Sequence, residues 1–273
     1  VIKLGGSLLE NAERRDAALR QIAQLWARGE RLVLVHGGGK HVDAQLAKLG
    51  IAKRTHAGLR VTDDATLDVV VAVLAGSVNK MLVAELTKLG IRSAGISGAD
   101  AGTIVADVHD PIDGVDLGHV GQVTDASGAL IDAMLDHDIL PVVSSVAAGP
   151  NGTLLNVNAD SAASALAAAL GADSLVFITD VAGVLDGEGK LVEKLRAADV
   201  EAMLESDVVS GGMRPKLIAA LAAIGAGVGN VAIGEGTKLV AGSRLPVAAP
   251  FPATGNRQLI TVIEEDVRDA AAR

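Results

Sequence analysis

Val1-Ile2-Lys3-Leu4-Gly5-Gly6-Ser7 and Leu32-Val33-Leu34-Val35-His36-Gly37-Gly38-Gly39 share one plan, a short apolar run that breaks into consecutive glycines. The runs 1–4 and 32–35 read as buried strands. Glycines at a strand's exit leave backbone N–H groups uncovered by side chains, and a helix starting just beyond adds the positive end of its dipole. Two such turns side by side would cradle a polyanionic phosphate. Each glycine costs roughly 0.5–1 kcal/mol of helix or strand stability relative to alanine. A close approach of backbone to ligand therefore explains Gly37, Gly38 and Gly39 better than a turn that one glycine could make.

Strand-like runs and helical stretches alternate outward from these turns. Helical periodicity covers 12–28, 41–49 and the long stretch 65–89, which leads to a strand at 93–97. Residues 103–123 carry short alternating runs with turn signals at Asp110-Pro111 and Asp113-Gly114, which predict hairpins. A helix at 128–136 then delivers a strand at 140–144. The second half predicts helices at 160–170, 198–205 and 213–224, with strands at 175–179, 231–233 and 259–264. This order implies βαβ units, an α/β fold with a mostly parallel open sheet covered on both faces. Ala148-Gly149-Pro150-Asn151-Gly152 is the clearest punctuation. It divides the chain into an N-terminal lobe, 1–152, and a C-terminal lobe, 153–273, sharing one central sheet. The cleft is expected at the strands' carboxyl ends.

Composition narrows the function classes. The 273 residues are 49% hydrophobic but only 1% aromatic, with Trp26, Phe177 and Phe251 the whole set. Bases have almost no aromatic platform to stack on, and the net charge of −9 has the wrong sign for nucleic acid. No Cys is present, which suits a reducing cytoplasm. No apolar run is read as reaching the roughly 18 residues of a membrane span, and no signal peptide is read, so a cytoplasmic protein is expected.

Other motifs have two readings each. Lys3 is either a strand-edge lysine pointing to water or a cation for transferring phosphoryl oxygens. Arg60, in Gly58-Leu59-Arg60-Val61-Thr62, is a surface arginine or a fork for a carboxylate. Asp160, closing Asn156-Val157-Asn158-Ala159-Asp160, is a helix N-cap, an orienter of lysines or an aid to metal placement. Lys216 follows Gly211-Gly212 near a helix's positive end, where a lysine is unfavourable unless an anion is present. Thr179-Asp180 is a plain turn or part of a nucleotide pocket. His119 reads as structural. The chain has no Walker lysine-serine and no GxGxxG, and no histidine or carboxylate spacing marks a dedicated metal site.

The ordered set KLGGSLL at 3–9, VHGGGKHVD at 35–43, GLRVTDD at 58–64, LAGSVNK at 74–80, LGHVGQV at 117–123, LPVVSSV at 140–146, NVNAD at 156–160, TDVAGVLDGEGK at 179–190 and GGMRPK at 211–216 closely resembles the amino acid kinase family. Within that family it is most similar to the branch acting on N-acetyl-L-glutamate. The resemblance implies an αβα sandwich, with acetylglutamate in the N-terminal lobe and MgATP in the C-terminal one. The implied reaction moves the γ-phosphoryl group of ATP to the side-chain carboxylate of acetylglutamate, a step of arginine biosynthesis. It implies Lys3 and Lys216 as catalytic lysines organised by Asp160, and Arg60 and Asn156 as a substrate-carboxylate clamp. Gly5 and Gly6 would hold phosphate, Gly37 and Gly38 substrate. Thr179, Asp180, Gly211 and Gly212 would line the nucleotide. Mg²⁺ would arrive with ATP, and a homodimer is expected.

Two departures bear on this. Where the family carries a glycine-threonine pair near its end, residues 252–258 read Pro-Ala-Thr-Gly-Asn-Arg-Gln, which implies a different nucleotide-side rim. The chain also opens at the first strand, without the helix through which arginine-inhibited relatives form hexamers, so a dimer without arginine feedback is expected. The competing readings are a carrier-linked aminoadipate kinase, a nucleotide-monophosphate kinase and a non-catalytic amino-acid sensor of the same fold.

Overall fold

In the computed structural model the described residues are 1–206, 209, 211–235 and 260–264. Strand β1 (Ile2–Leu4) runs through the Gly5-Gly6 turn into the short α1 (Gly6–Glu10) and then α2 (Ala12–Ala27), whose first turn is capped by Asn11. Strand β2 (Leu34–His36) runs through the second glycine turn into α3 (Gly39–Lys48). A small hairpin follows, β3 (Thr55–His56) with β4 (Leu59–Arg60). The predicted long helix is three segments: α4 (Asp64–Val71), a π-helical turn over Ala72–Val78, and α5 (Asn79–Lys88).

Strand β5 (Ser93–Ser97) is followed by the antiparallel pair β6 (Ile104–Val108) and β7 (Val120–Ala126), the hairpin expected at 103–123. Helix α6 (Ala129–Asp136) leads to β8 (Leu140–Ser144). The sequence reading missed the hairpin strands β3 and β4, a later strand at Lys194–Arg196, and two strands here, β9 (Val146–Ala148) and β10 (Leu154–Val157). The last two pair antiparallel across the Gly149–Gly152 punctuation and close a four-stranded ring with β6 and β7. Each is too short to show a period. The rest is α7 (Ala159–Ala169), β11 (Ser174–Thr179), β12 (Lys194–Arg196), α8 (Ala197–Glu205), α9 (Met213–Gly225), β13 (Asn230–Glu235) and β14 (Ile260–Glu264).

The main sheet has eight strands in the order β12-β14-β13-β11-β1-β2-β8-β5. Every adjacent pair is parallel except β13 with β14. Helices cover both faces. One core joins α1 to α5 through residues such as Leu9, Leu19, Ile22, Leu46 and Leu82. The other joins α6 to α9 through Ile131, Leu166, Val200 and Leu217. An αβα sandwich with a mostly parallel sheet is thus the observed class. The second core buries Ala162, Ala163 and Ala167 of α7 and Ala219, Ala220 and Ala223 of α9, and the Ser164 hydroxyl donates to the Ala219 carbonyl at 2.8 Å.

The helical run Asp64–Lys88 is 25 residues and, by length and composition alone, apolar enough to cross a membrane, contrary to the sequence expectation. It is built as a core helix. Val69, Val70, Val73, Leu74, Val78, Leu82 and Leu86 are buried against the sheet, and its buried Asn79 is fully engaged in hydrogen bonds.

Phe177 is the largest fully buried side chain among the described residues. With so few aromatics its volume has no substitute nearby, so Phe177→Ala is expected to destabilise the fold by about 3–5 kcal/mol, read as a lower urea midpoint with unchanged slope.

Candidate active site

Strand alternation places the first lysine. Ile2 and Leu4 point into the core under α2, so Lys3 between them faces the opposite layer, where α7 lies. Register places the turns. Leu4 sits opposite both His36 and Ile178, so Gly5-Gly6, Gly37-Gly38 and Thr179-Asp180 all leave the sheet at one edge. A Cβ on Gly5 would lie 2.8 Å from the Ile178 carbonyl, which accepts a hydrogen bond from Gly5 N–H at 2.9 Å. Gly37 is tight against Ala159 at the start of α7. Gly38 has φ +156°, and its backbone rests on Leu74 and Val78. Gly6 is open, with nothing that a Cβ would meet.

The cap of α7 falls to Asn158, not to Asp160. Asn158 Oδ1 accepts from Asp160 N at 2.8 Å and Ser161 N at 3.2 Å. Asp160 is therefore free to use its carboxylate elsewhere. Oδ1 is 2.7 Å from Lys3 Nζ, and Oδ2 is 3.2 Å from Lys216 Nζ, which also donates to the Gly212 carbonyl at 3.2 Å. The three side chains are 7%, 6% and 14% exposed, in the order Lys3, Asp160, Lys216. Burial alone would raise the Asp160 pKa, but the two ammonium groups outweigh it and hold the carboxyl below its ordinary value. Burial, and then Lys216, push the Lys3 ammonium down while Asp160 pulls it up. Two cations share one anion, which leaves an excess of positive charge among largely buried groups, a setting that attracts a polyanion.

Arg60 is 13% exposed and leads from β4 to the second glycine turn. Its Nη2 donates to the Gly39 carbonyl at 3.0 Å and pairs with Asp43 Oδ1, while the buried Nη1 has no hydrogen-bond partner among the described residues. Asp43 is also held by Lys53 at 2.8 Å. Its burial, which would raise the pKa, is outweighed by the two cations. Asn156 Nδ2 donates to Thr62 Oγ1 at 3.1 Å, and that hydroxyl donates to the Arg60 carbonyl at 2.8 Å. Fully buried Thr62 thus ties Asn156 to Arg60. Neither Thr62 nor Asp43 was singled out from sequence. Nothing in their local spacing marks them, since both contacts cross between elements.

The Thr179-Asp180 pair adjoins the first turn. Asp180 accepts from Thr179 Oγ1 at 3.1 Å. Against the raising effect of burial, its own backbone N–H, the Ser7 hydroxyl, Thr179 and Lys40 keep its pKa low. Gly211 and Gly212 open α9, and Gly211 has φ +60°. The structure therefore gathers both glycine turns, the α7 start and the α9 start around the Asp160 carboxylate. Arg60 and Asn156 sit beyond the second turn. No group of three or more metal-ligating side chains occurs among the described residues. The 252–258 departure lies outside the described residues.

The amino acid kinase family model matches residues 1–235. The chain belongs to the amino acid kinase family. Among relatives of this amino acid kinase, the acetylglutamate kinase of Methanopyrus kandleri is 45% identical over 233 residues, covering 83% of this chain and 91% of that one. The acetylglutamate kinase of Ruegeria pomeroyi is 42% identical over 236 residues, covering 86% and 81%. The crystal structure of smu.665 from Streptococcus mutans superposes with a TM-score of 0.79 at 30% identity, covering 97% and 98%. Membership of a kinase family implies ATP as the phosphoryl donor.

Removing the shared carboxylate tests the electrostatics of this kinase. Asp160→Asn leaves two buried ammonium groups unpaired and is expected to cost about 3–5 kcal/mol at pH 7. Because the folded pKa of Asp160 is depressed, its stabilisation is complete above the ordinary carboxylate value of 3.8 and is lost as pH falls through the folded value. Urea melts should show the gap between the two proteins steady from pH 5 to 7 and closing below 3.8.

Proposed function

We propose that the protein is an ATP-dependent acetylglutamate kinase that moves the γ-phosphoryl group of ATP to the side-chain carboxylate of N-acetyl-L-glutamate. The observation that carries this reading is the buried Lys3–Asp160–Lys216 bridge at the mouth of two glycine turns. Relatives of 40–45% identity bearing the name acetylglutamate kinase support the choice of acceptor.

A carboxylate acceptor is ionised at neutral pH and needs no general base. The protein's work is then to bring two anions together and to cancel charge as the phosphoryl group passes between them. Lys3 and Lys216 reach that group from opposite lobes, 1–152 and 153–273, and Asp160 fixes the spacing of their ammonium groups. The N–H of Gly6 holds the phosphoryl oxygens, whereas the Gly5 N–H is already given to the Ile178 carbonyl, so the phosphate role expected of Gly5 is not carried into this reading. Gly37 and Gly38 hold the acceptor, and the free Nη1 of Arg60 takes its α-carboxylate together with Asn156. Thr179, Asp180, Gly211 and Gly212 border the nucleotide. Mg²⁺, when bound with ATP, supplies further charge cancellation at the phosphates. We extend the reading to a cytoplasmic homodimer. The homodimer is supported by the edge position of β5 among the described residues, beside a long apolar helix that leaves Val71, Met81 and Val83 only partly buried.

A coupled ADP-release assay with acetylglutamate, glutamate, aminoadipate and UMP side by side tests the reading. Turnover is expected with acetylglutamate, and none with that substrate overturns it. Lys3→Ala and Lys216→Ala should each lower kcat by about 10²–10³-fold, the scale of removing one charge-stabilising donor.

A further inference from the structure

Behind the second glycine turn lies a buried polar network that the chemistry above does not use. His36 is the last residue of β2 and is fully buried. Its Nδ1 lies 2.8 Å from the Gly37 carbonyl and its Nε2 lies 3.1 Å from Asn79 Nδ2. A carbonyl only accepts, so Nδ1 carries the proton and Nε2 accepts from the Asn79 amide. Asn79, also fully buried, spans the sheet, with Nδ2 at 2.9 Å from the Val142 carbonyl and 3.2 Å from that of Ile96. Its Oδ1 accepts from Lys80 Nζ at 3.0 Å, and Lys80 also donates to the Gly95 carbonyl at 2.7 Å.

Two further features tie this network to the turn. Asn79 is the first residue after the π-helical turn Ala72–Val78. A π turn takes in an extra residue, so Asn79 is rotated by about 100° from where an uninterrupted α-helix would place it. Leu74 and Val78 of the same turn support the Gly38 backbone. Room for the Asn79 amide comes from Gly95 on β5, where a Cβ would lie 1.7 Å from Asn79 Oδ1. Burial lowers the His36 pKa to about 4, opposed by the Gly37 carbonyl and reinforced by His41, Lys3 and Lys80, so the ring keeps its neutral acceptor form above pH 5.

We propose that Asn79 and His36 are positioning residues that set the backbone of the Gly37-Gly38-Gly39 turn, with the π-helical turn delivering Asn79 to His36. They act through the turn and touch no substrate. The assignment of that turn to acetylglutamate rests on the function proposed above.

The test compares wild type with Asn79→Ala, His36→Leu, His36→Gln and Gly95→Ala, the last lying outside the site. In Asn79→Ala and His36→Leu the KM for acetylglutamate should rise at least tenfold and kcat fall toward about 100-fold, the scale of a small misplacement of reacting groups, with KM for ATP within twofold. Gly95→Ala should move the same constant in the same direction by displacing Asn79. His36→Gln offers an amide oxygen in place of Nε2 and should recover most of the loss. A merely structural role would lower the melting temperature and active fraction and leave both KM values alone, and that pattern overturns the proposal. Amide NMR shifts of Gly37, Gly38 and Gly39 in the ligand-free protein provide an independent readout. They should move in every folded variant except His36→Gln. Unmoved shifts overturn the proposal, whereas a wild type inactive on acetylglutamate with moving shifts overturns only the function. If Asn79→Ala does not fold, the same comparison is decided by the His36 pair.

Discussion

Two ammonium groups and one carboxylate, all withdrawn from water, hold this structure's working parts together. Each ion gives up several kcal/mol of hydration, so the bridge stands only where geometry is good and remaining polar sites are served. That requirement reaches back into the fold. Lys3 must interrupt an apolar strand on the face turned away from its neighbours. Asn158 must take the cap of α7 so that Asp160 does not. Helix α9 must start where the Gly212 carbonyl can share the Lys216 ammonium.

The charge left over gives the site its direction. Within the described residues the bridge carries one more cation than anion, and Arg60, although paired with Asp43, keeps a buried Nη1 unengaged. An unoccupied buried donor is expensive unless a ligand satisfies it. The two deficits lie on either side of the second glycine turn, one toward the α7 and α9 starts, the other toward β4. On the proposed reading they correspond to the phosphoryl group and the acceptor's carboxylate, and the turn between them is where the two reactants meet.

Much of this was legible in the chain because it is carried locally. Strand exits into glycine, helical periods and alternation give the sandwich and its parallel sheet, and Lys3, Asp160 and Lys216 stand in motifs that announce a turn before a helix. What stayed hidden is relational. The strands β9 and β10 are three and four residues long, too short for a period, and exist because they pair with each other and with β6 and β7. The long apolar stretch read as one helix, since a π turn costs no visible signal in residue type. Asp43 and Thr62 matter through partners that sequence distance conceals. Asp160 could not be told from a cap until Asn158 was seen filling that place.

The alanine-lined contact of α7 with α9 gives the charged bridge an unusual dependence. Side chains usually set how far apart two packed helices lie. Here most of the buried residues of both helices are alanines, so the backbones can lie close, and the Ser164 hydroxyl pins the spacing to the Ala219 carbonyl. One helix bears Asp160 and the other Lys216. The seam therefore works as a gauge block for an ion pair at its end. Bulk added midway along it would be felt as a lengthened salt bridge two turns away, which makes plain alanines, remote from any ligand, some of the least replaceable residues in the protein.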